Sequence, residues 1–407
     1  MQSWLASVIY AVVEDVAGAN GLRILMGLLT ATVFGLVWRL TRPTNGLLVR
    51  GGIATVVLWA GASQWSERPL LFGLIGLGLT VLAAEDGFDP RWLLPVGWVW
   101  VNTHGSFPLG LGYLVVLIVG RWLDKEPFAV ELRCLRWLAG GVALGAINPL
   151  GPRILLFPLE LLQKQDVLQH VVEWQAPRFH SISERLFLVE VALVVMALIR
   201  RPRYRSGLVF VVFLAAALLG ARNIPVASLV LVPVLAVAWP DVGSLRSDAG
   251  GLLARSGSAI ALAALVLVTL VRLRDPAFDL RAYPVEALDH LLEHRVDLEE
   301  VRMVAPDRVG NLLDLRDGPG SRVFYDDRFD MFPEGVSEDV FTLTGGGPSS
   351  LAILERRDVD LVLWRTALPL VQILRADDRW RTVEQVDQGW ALLCRKGADL
   401  GGDLGRC

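Results

Sequence analysis

Three observations predict an all-α polytopic transmembrane bundle of about ten spans, followed by a small C-terminal extracytoplasmic α/β domain. The 407 residues are 53% hydrophobic and 20% charged, but most of the charge lies after Arg272, so the preceding part is far more apolar than a soluble domain tolerates. Apolar runs of membrane length recur through that part, separated by short polar turns. Many of the 14 tryptophans stand at the ends of these runs (Trp38, Trp65, Trp92, Trp122, Trp239), where an amphipathic ring favours the headgroup layer. The lipid bilayer is therefore the first partner, and the expected location is the cell membrane. A net charge of -3 gives no case for nucleic acid. Cys134, Cys394 and Cys407 are spaced for neither a metal site nor a disulfide framework.

Residues 1–20 are amphipathic and carry Glu14 and Asp15, which predicts a helix lying at the interface. The transmembrane domain follows over 21–272. Its spans are expected at 21–40, 47–62, 69–84, 92–101, 107–122, 137–147, 186–199, 207–221, 224–239 and 258–271. Residues 148–185 are mixed: NPLGPR, an apolar turn or re-entrant piece LLFPLELL, and the polar run QKQDVLQHVVEWQAPRFHSISER. With no secretory leader pattern at the start, insertion relies on these helices themselves.

Alternation of the loops places fourteen Arg and Lys on one side and seven on the other, and the richer side is expected to be cytoplasmic. The N-terminus, the turn at His104, the 148–185 loop, the turn at Arg222 and the tail then face outward. In the tail, 273–407, a helix is expected to start at Pro284. Strands are expected at 321–325, 361–364, 382–386 and 390–394, with helices at 351–355 and 368–374. TLTGGGPSS lacks the Lys of a phosphate-binding loop and is read as a plain loop.

The outward turns concentrate unusual side chains: Arg68, Asn102, His104, Asn148, Glu173, Trp174 and Arg222. Ionisable groups at span ends facing one compartment are costly unless paired or solvated, which favours a shared cavity. Arg68 and Arg222 suit a phosphate or pyrophosphate because a guanidinium fork matches its oxygens; snorkelling to the headgroups is the competing reading. His104 and Glu173 are candidate proton acceptors. Against these stand plainer roles: capping of helix ends for Asn102 and His104, an ion pair with Arg178 for Glu173, and a helix stop for Asn148 before Pro149. In the tail, Asp326 and Asp327 are weighed as ligands of a divalent metal, but an ion pair of Asp327 with Arg328 or Arg322 is preferred, because neighbours on a strand point oppositely.

WVWVNTHGSFPLG, INPLGPRILLFP, VVEWQAPRFHS and RNIPVASLVLVPVLA, in that order, resemble the core of bacterial relatives of the GT-C glycosyltransferases, the dolichyl-phosphate-mannose-protein mannosyltransferase-like group. In the tail, GSRVFYDDRFDMFP, VDLVLWRTALPL and WRTVEQVDQGWALLCRK continue the likeness. The resemblance implies transfer of a sugar from a polyprenyl-phosphate donor to an acceptor on the outer face. It also implies a catalytic carboxylate in the first outer loop, just after a first transmembrane helix. Glu14 and Asp15 do not occupy that place, so the expectation is that Met1 is internal or that the chain is a truncated relative. A non-catalytic membrane component, binding lipid or polymer in the same cavity and a partner through its tail, is the alternative; a transporter comes third, with no inverted repeat evident.

Overall fold

The computed structural model describes residues 3–65, 68–85, 87–163, 168, 171–239, 266–298, 300–318, 322–328, 331–386 and 389–407. The chain is mostly helical and divides into two compact units, one of Met1–Gln165 with Val171–Ala277, the other of Phe278–Cys407 with Asp166–His170. The sequence put the corresponding change of character at 272/273.

In the first unit the apolar runs become α1 (Trp4–Leu40), α2 (Leu47–Ala60), α3 (Leu70–Ala84), α4 (Leu93–Thr103), α5 (Phe107–Leu123) and α6 (Ala129–Leu144). After these come the short α7 (Phe157–Gln163), then α8 (Ile182–Arg200), α9 (Tyr204–Leu219) and α10 (Ile224–Ala238). Two helical stretches, Trp4–Leu40 and Ala221–Ala238, are long and apolar enough to cross a membrane, while Leu47–Ala60, Leu70–Ala84, Phe107–Leu123 and Tyr204–Leu219 are apolar but shorter. Of the expected span at 258–271, residues 266–272 are helical and the remainder lies outside the described residues.

The interfacial helix expected over 1–20 does not stand apart. It runs into the next helix as α1, interrupted at Gly18, whose φ of +58° is a conformation glycine adopts without a Cβ penalty. Before that break Val8, Val12 and Val16 form an exposed apolar stripe at helical spacing, whereas Ala6 is buried. Elsewhere glycines set how closely helices cross. Gly97 of α4 faces Gly141 of α6, where an added Cβ on Gly141 would lie 2.3 Å from the Leu94 carbonyl oxygen.

Contacts define two ends of this unit. At one, Trp4 bonds Asn102, Tyr10 packs on Phe72, and Ser183 donates to the Ala60 carbonyl. At the other, charges tie four helices together: Arg205 pairs with Glu85, Arg121 bridges Glu126 and the buried Glu131, and Arg203 reaches Glu126. Both carboxylate oxygens of Asp124 accept the first backbone N–H groups of α9, a capping role supplied from another element.

The second unit contains β1 (Met303–Val304), β2 (Leu361–Arg365), β3 (Trp380–Val386) and β4 (Trp390–Arg395), in the order β1-β2-β4-β3. β1 pairs parallel with β2, and the other pairings are antiparallel. Alternation along the strands sends Leu361, Leu363 and Leu392 to one face with α11 (Val285–Glu293) and α12 (Asp307–Asp317). Val362, Trp364 and Leu393 go to the other, with α13 (Glu334–Gly345), α14 (Ser350–Arg356) and α15 (Pro369–Ala376).

The structure changes several expectations for the tail. Residues 322–325 form no strand: Tyr325 is buried against Phe332, and the turn that follows is closed by Asp326. Asp326 pairs with Arg328 there; its carboxylate accepts from the Arg328 backbone N–H at 2.7 Å and from its guanidinium. The cysteines do pair, Cys394 with Cys407, joining β4 to the end of the chain. Their spacing was uninformative because the pairing depends on how the last residues fold back, with Cys407 N–H bonded to the Ala398 carbonyl. TLTGGGPSS is a loop only from Gly346, which ends α13 in the left-handed conformation.

Candidate functional site

Four of the seven singled-out residues meet in pairs at one end of the helical unit, and the electrostatics link the pairs. Arg68, just before α3, donates to the Glu173 carboxylate at 2.6 Å. Arg222, in the 3-10 turn Ala221–Asn223 before α10, lays its guanidinium 3.9 Å from the centroid of the Trp174 ring. Burial lowers the Arg222 pKa, Glu173 opposes that shift, and Arg68 adds to it, so the three charges share one neighbourhood. The guanidinium stays ionised regardless. Glu173 therefore pairs with Arg68 rather than with Arg178, whose guanidinium bonds Gln175.

The segment carrying Glu173 and Trp174 is fixed by the backbone. Ala221 N–H donates to the Gln175 carbonyl at 2.9 Å, and a Cβ on Gly220 would come within 3.2 Å of the Trp174 carbonyl oxygen. Next along the chain, Ser181 and Glu184 form a reciprocal capping box that starts α8. The indole nitrogens of Trp65 and Trp174 are buried without a hydrogen-bond partner among the described residues.

His104 stands at the C-terminal end of α4, one step outside the helix. Burial, and secondarily the Arg222 guanidinium, push its pKa down to about 3, which joins it to the same neighbourhood. Its Nδ1 accepts the Ser106 backbone N–H at 3.2 Å and lies 2.7 Å from Ser106 Oγ, which itself accepts the Trp100 indole N–H. An Nδ1 that accepts from a backbone amide carries no proton, so the neutral ring holds its hydrogen on Nε2 and presents a donor there. Gly73 of α3 makes room, since a Cβ on it would sit 2.5 Å from Ser106 Oγ and 2.8 Å from His104 Nδ1.

No protein-family model matches this sequence, and no curated protein is similar to it.

Asn102 and Asn148 are used locally. Asn102 is buried, its Oδ1 accepting the Trp4 indole N–H and its Nδ2 donating to the Trp98 carbonyl. Asn148 closes its own turn, donating to the carbonyls of Gly145 and Gly151 and accepting from Leu150 N–H. Among the described residues no group of three or more His, Cys, Asp or Glu is placed to hold a metal ion. Taken singly, Trp4 and Gly73 carry no signal of their role in the sequence, and Trp65 reads there only as a span-end ring. The trace is the recurrence of glycine at 73, 76 and 78 in α3, where Gly76 leaves room for Trp100 as Gly73 does for His104.

Proposed function

We propose that the helical unit is a membrane-embedded bundle of about ten spans, that the C-terminal unit lies outside the cytoplasm, and that the chain is a GT-C-like glycosyltransferase. Its substrate class is a polyprenyl-phosphate-linked sugar. The observation that carries this reading is that, among the described residues, two cations, Arg68 and Arg222, are set against one carboxylate, Glu173, at one end of an apolar helical unit. That excess positive charge, held by a turn and a tryptophan face, favours an anion, and a phosphate presented by an isoprenoid would keep its tail among the helices. As the bond from the sugar C1 to the phosphate oxygen breaks, negative charge grows on the leaving phosphate, and Arg222, Arg68 and the His104 Nε2–H are the donors available to stabilise it. Glu173 is the candidate to receive the proton of the acceptor hydroxyl.

One observation favours the non-catalytic reading, in which the same site binds lipid or polymer. Glu173 is already engaged by Arg68, and His104 offers a donor rather than an acceptor. Both readings are tested on the full chain in liposomes, with polyprenyl phosphate for binding and a labelled polyprenyl-phosphate sugar for transfer. Arg222→Ala is expected to weaken binding about tenfold or more, the scale of one charged hydrogen bond, and Arg222→Lys to restore part of it without the stacking. Binding with no transfer would favour the non-catalytic component; absence of binding to the unaltered chain would refute the phosphate site.

A further inference from the structure

The apolar run LFLVEVALVV of α8 carries one acid, Glu190, and the proposed transfer reaction has no use for it. The side chain is fully buried. Its Oε2 accepts a hydrogen bond from Ser228 Oγ of α10 at 2.6 Å, and Ser228 is fully buried too. Its Oε1 is buried with no hydrogen-bond partner among the described residues.

Among the described residues, no counter-charge comes from the helices packed on α8. α10 contains no titratable residue. On α2, Arg50 is held at the far end by the Trp38 carbonyl and Thr41. On α9, Arg205 is paired with Glu85 and Tyr204 is exposed. On α8 itself, Glu184 serves the capping box, Arg185 bonds the Phe179 carbonyl and Arg200 packs on Trp239. A carboxylate buried without a cation costs several kcal/mol or more, whereas a carboxylic acid needs only a donor and an acceptor. Hard metal cations take about six or more oxygens, and among the described residues no metal-holding group of three or more His, Cys, Asp or Glu exists beside the Glu190–Ser228 pair.

We propose that Glu190 and Ser228 form a proton-binding site between α8 and α10, in which the carboxyl holds a proton at neutral pH and the serine hydroxyl sets how readily that proton leaves. The ligand is the proton itself. The site is independent of the glycosyl-transfer reading and stands or falls separately from it.

The test is modification by a hydrophobic carbodiimide, which reacts only with a protonated carboxyl in an apolar setting. The acid proton passes to a carbodiimide nitrogen, the carboxyl oxygen adds to the central carbon, and the O-acylisourea rearranges to a stable N-acylurea. With the full chain in membranes at acid, neutral and mildly alkaline pH, peptide mass spectrometry should find the adduct on Glu190 at neutral pH, with yield falling as pH rises. Ser228→Ala removes the donor that stabilises the carboxylate, so its adduct should persist to higher pH than that of the unaltered chain. The readout needs no variant at Glu190 and survives a poorly folding one. Glu190 left unmodified at every pH, while another carboxyl of the same sample reacts, would overturn the proposal; so would equal labelling by a water-soluble carbodiimide.

Discussion

His104 illustrates how position changes what a residue can do. On sequence it is a proton acceptor by type; in place, its Nδ1 is taken by Ser106 and burial beside Arg222 holds it neutral. This has a consequence for stability. The unfolded imidazole takes up a proton near its ordinary value of 6.5 and the folded one only near about 3, so between those values the unfolded chain binds more protons. The stabilisation is therefore complete above pH 6.5 and is lost as pH falls toward 3, at a slope of at most about 1.4 kcal/mol per pH unit. His104→Gln keeps a polar side chain that does not titrate. Its unfolding in detergent should show a flatter acid limb than the unaltered chain over that window, and superimposable limbs would mean that His104 is not buried as a neutral ring.

At the level of elements, the same glycines that weaken a helix intrinsically allow these helices to cross. Gly141→Ala puts a methyl group 2.3 Å from the Leu94 carbonyl oxygen, whereas Gly112 of α5 has no atom within 4 Å of an added Cβ. Gly141→Ala should therefore lower stability by about 1–3 kcal/mol, as overpacking does, while Gly112→Ala should be neutral or stabilising. Thermal unfolding of the two variants side by side checks this, and equal midpoints would refute the close crossing. Hydropathy made the positions of α2, α3, α5, α8, α9 and α10 legible, because each is an apolar run ended by charge or proline. β2 and β4 were legible as short apolar runs, the pattern of strands packed on both faces, and β3 from its alternation of apolar and polar residues. β1, α12 and α13 were not. β1 is two residues long and exists through its pairing with β2, and α12 is a polar helix whose buried face becomes apparent only against the sheet. For the site, residue types and turn positions were readable, but not the partners. Arg68 and Glu173 are 105 residues apart and meet because the 3-10 turn Val172–Trp174 docks beside Ala221–Asn223.

At the scale of the whole molecule, the side of the membrane on which the tail lies determines whether the proposed outward site exists. Two independent features bear on it. The arginine and lysine bias of the loops is the basis of the expected cytoplasmic face. A Cys394–Cys407 disulfide persists only where cytosolic reductants do not reach it, so its redox state in cells tests the compartment of the tail. Closing a loop of 13 residues is worth about 3 kcal/mol by chain entropy, so reduction should also loosen the C-terminal unit, with Cys407→Ser reproducing the loss. Alkaline phosphatase fused after Asp275 should be active. In the same cells neither Cys394 nor Cys407 should react with maleimide after unfolding unless a reductant is added first. Cys134, buried in α6 and outside the disulfide, serves as the internal positive control once the chain is unfolded. If both tail thiols react without reductant and the phosphatase fusion is silent, the tail is cytoplasmic, and the Arg68, Glu173 and Arg222 cluster faces a compartment in which an outward-presented lipid-phosphate sugar cannot reach it.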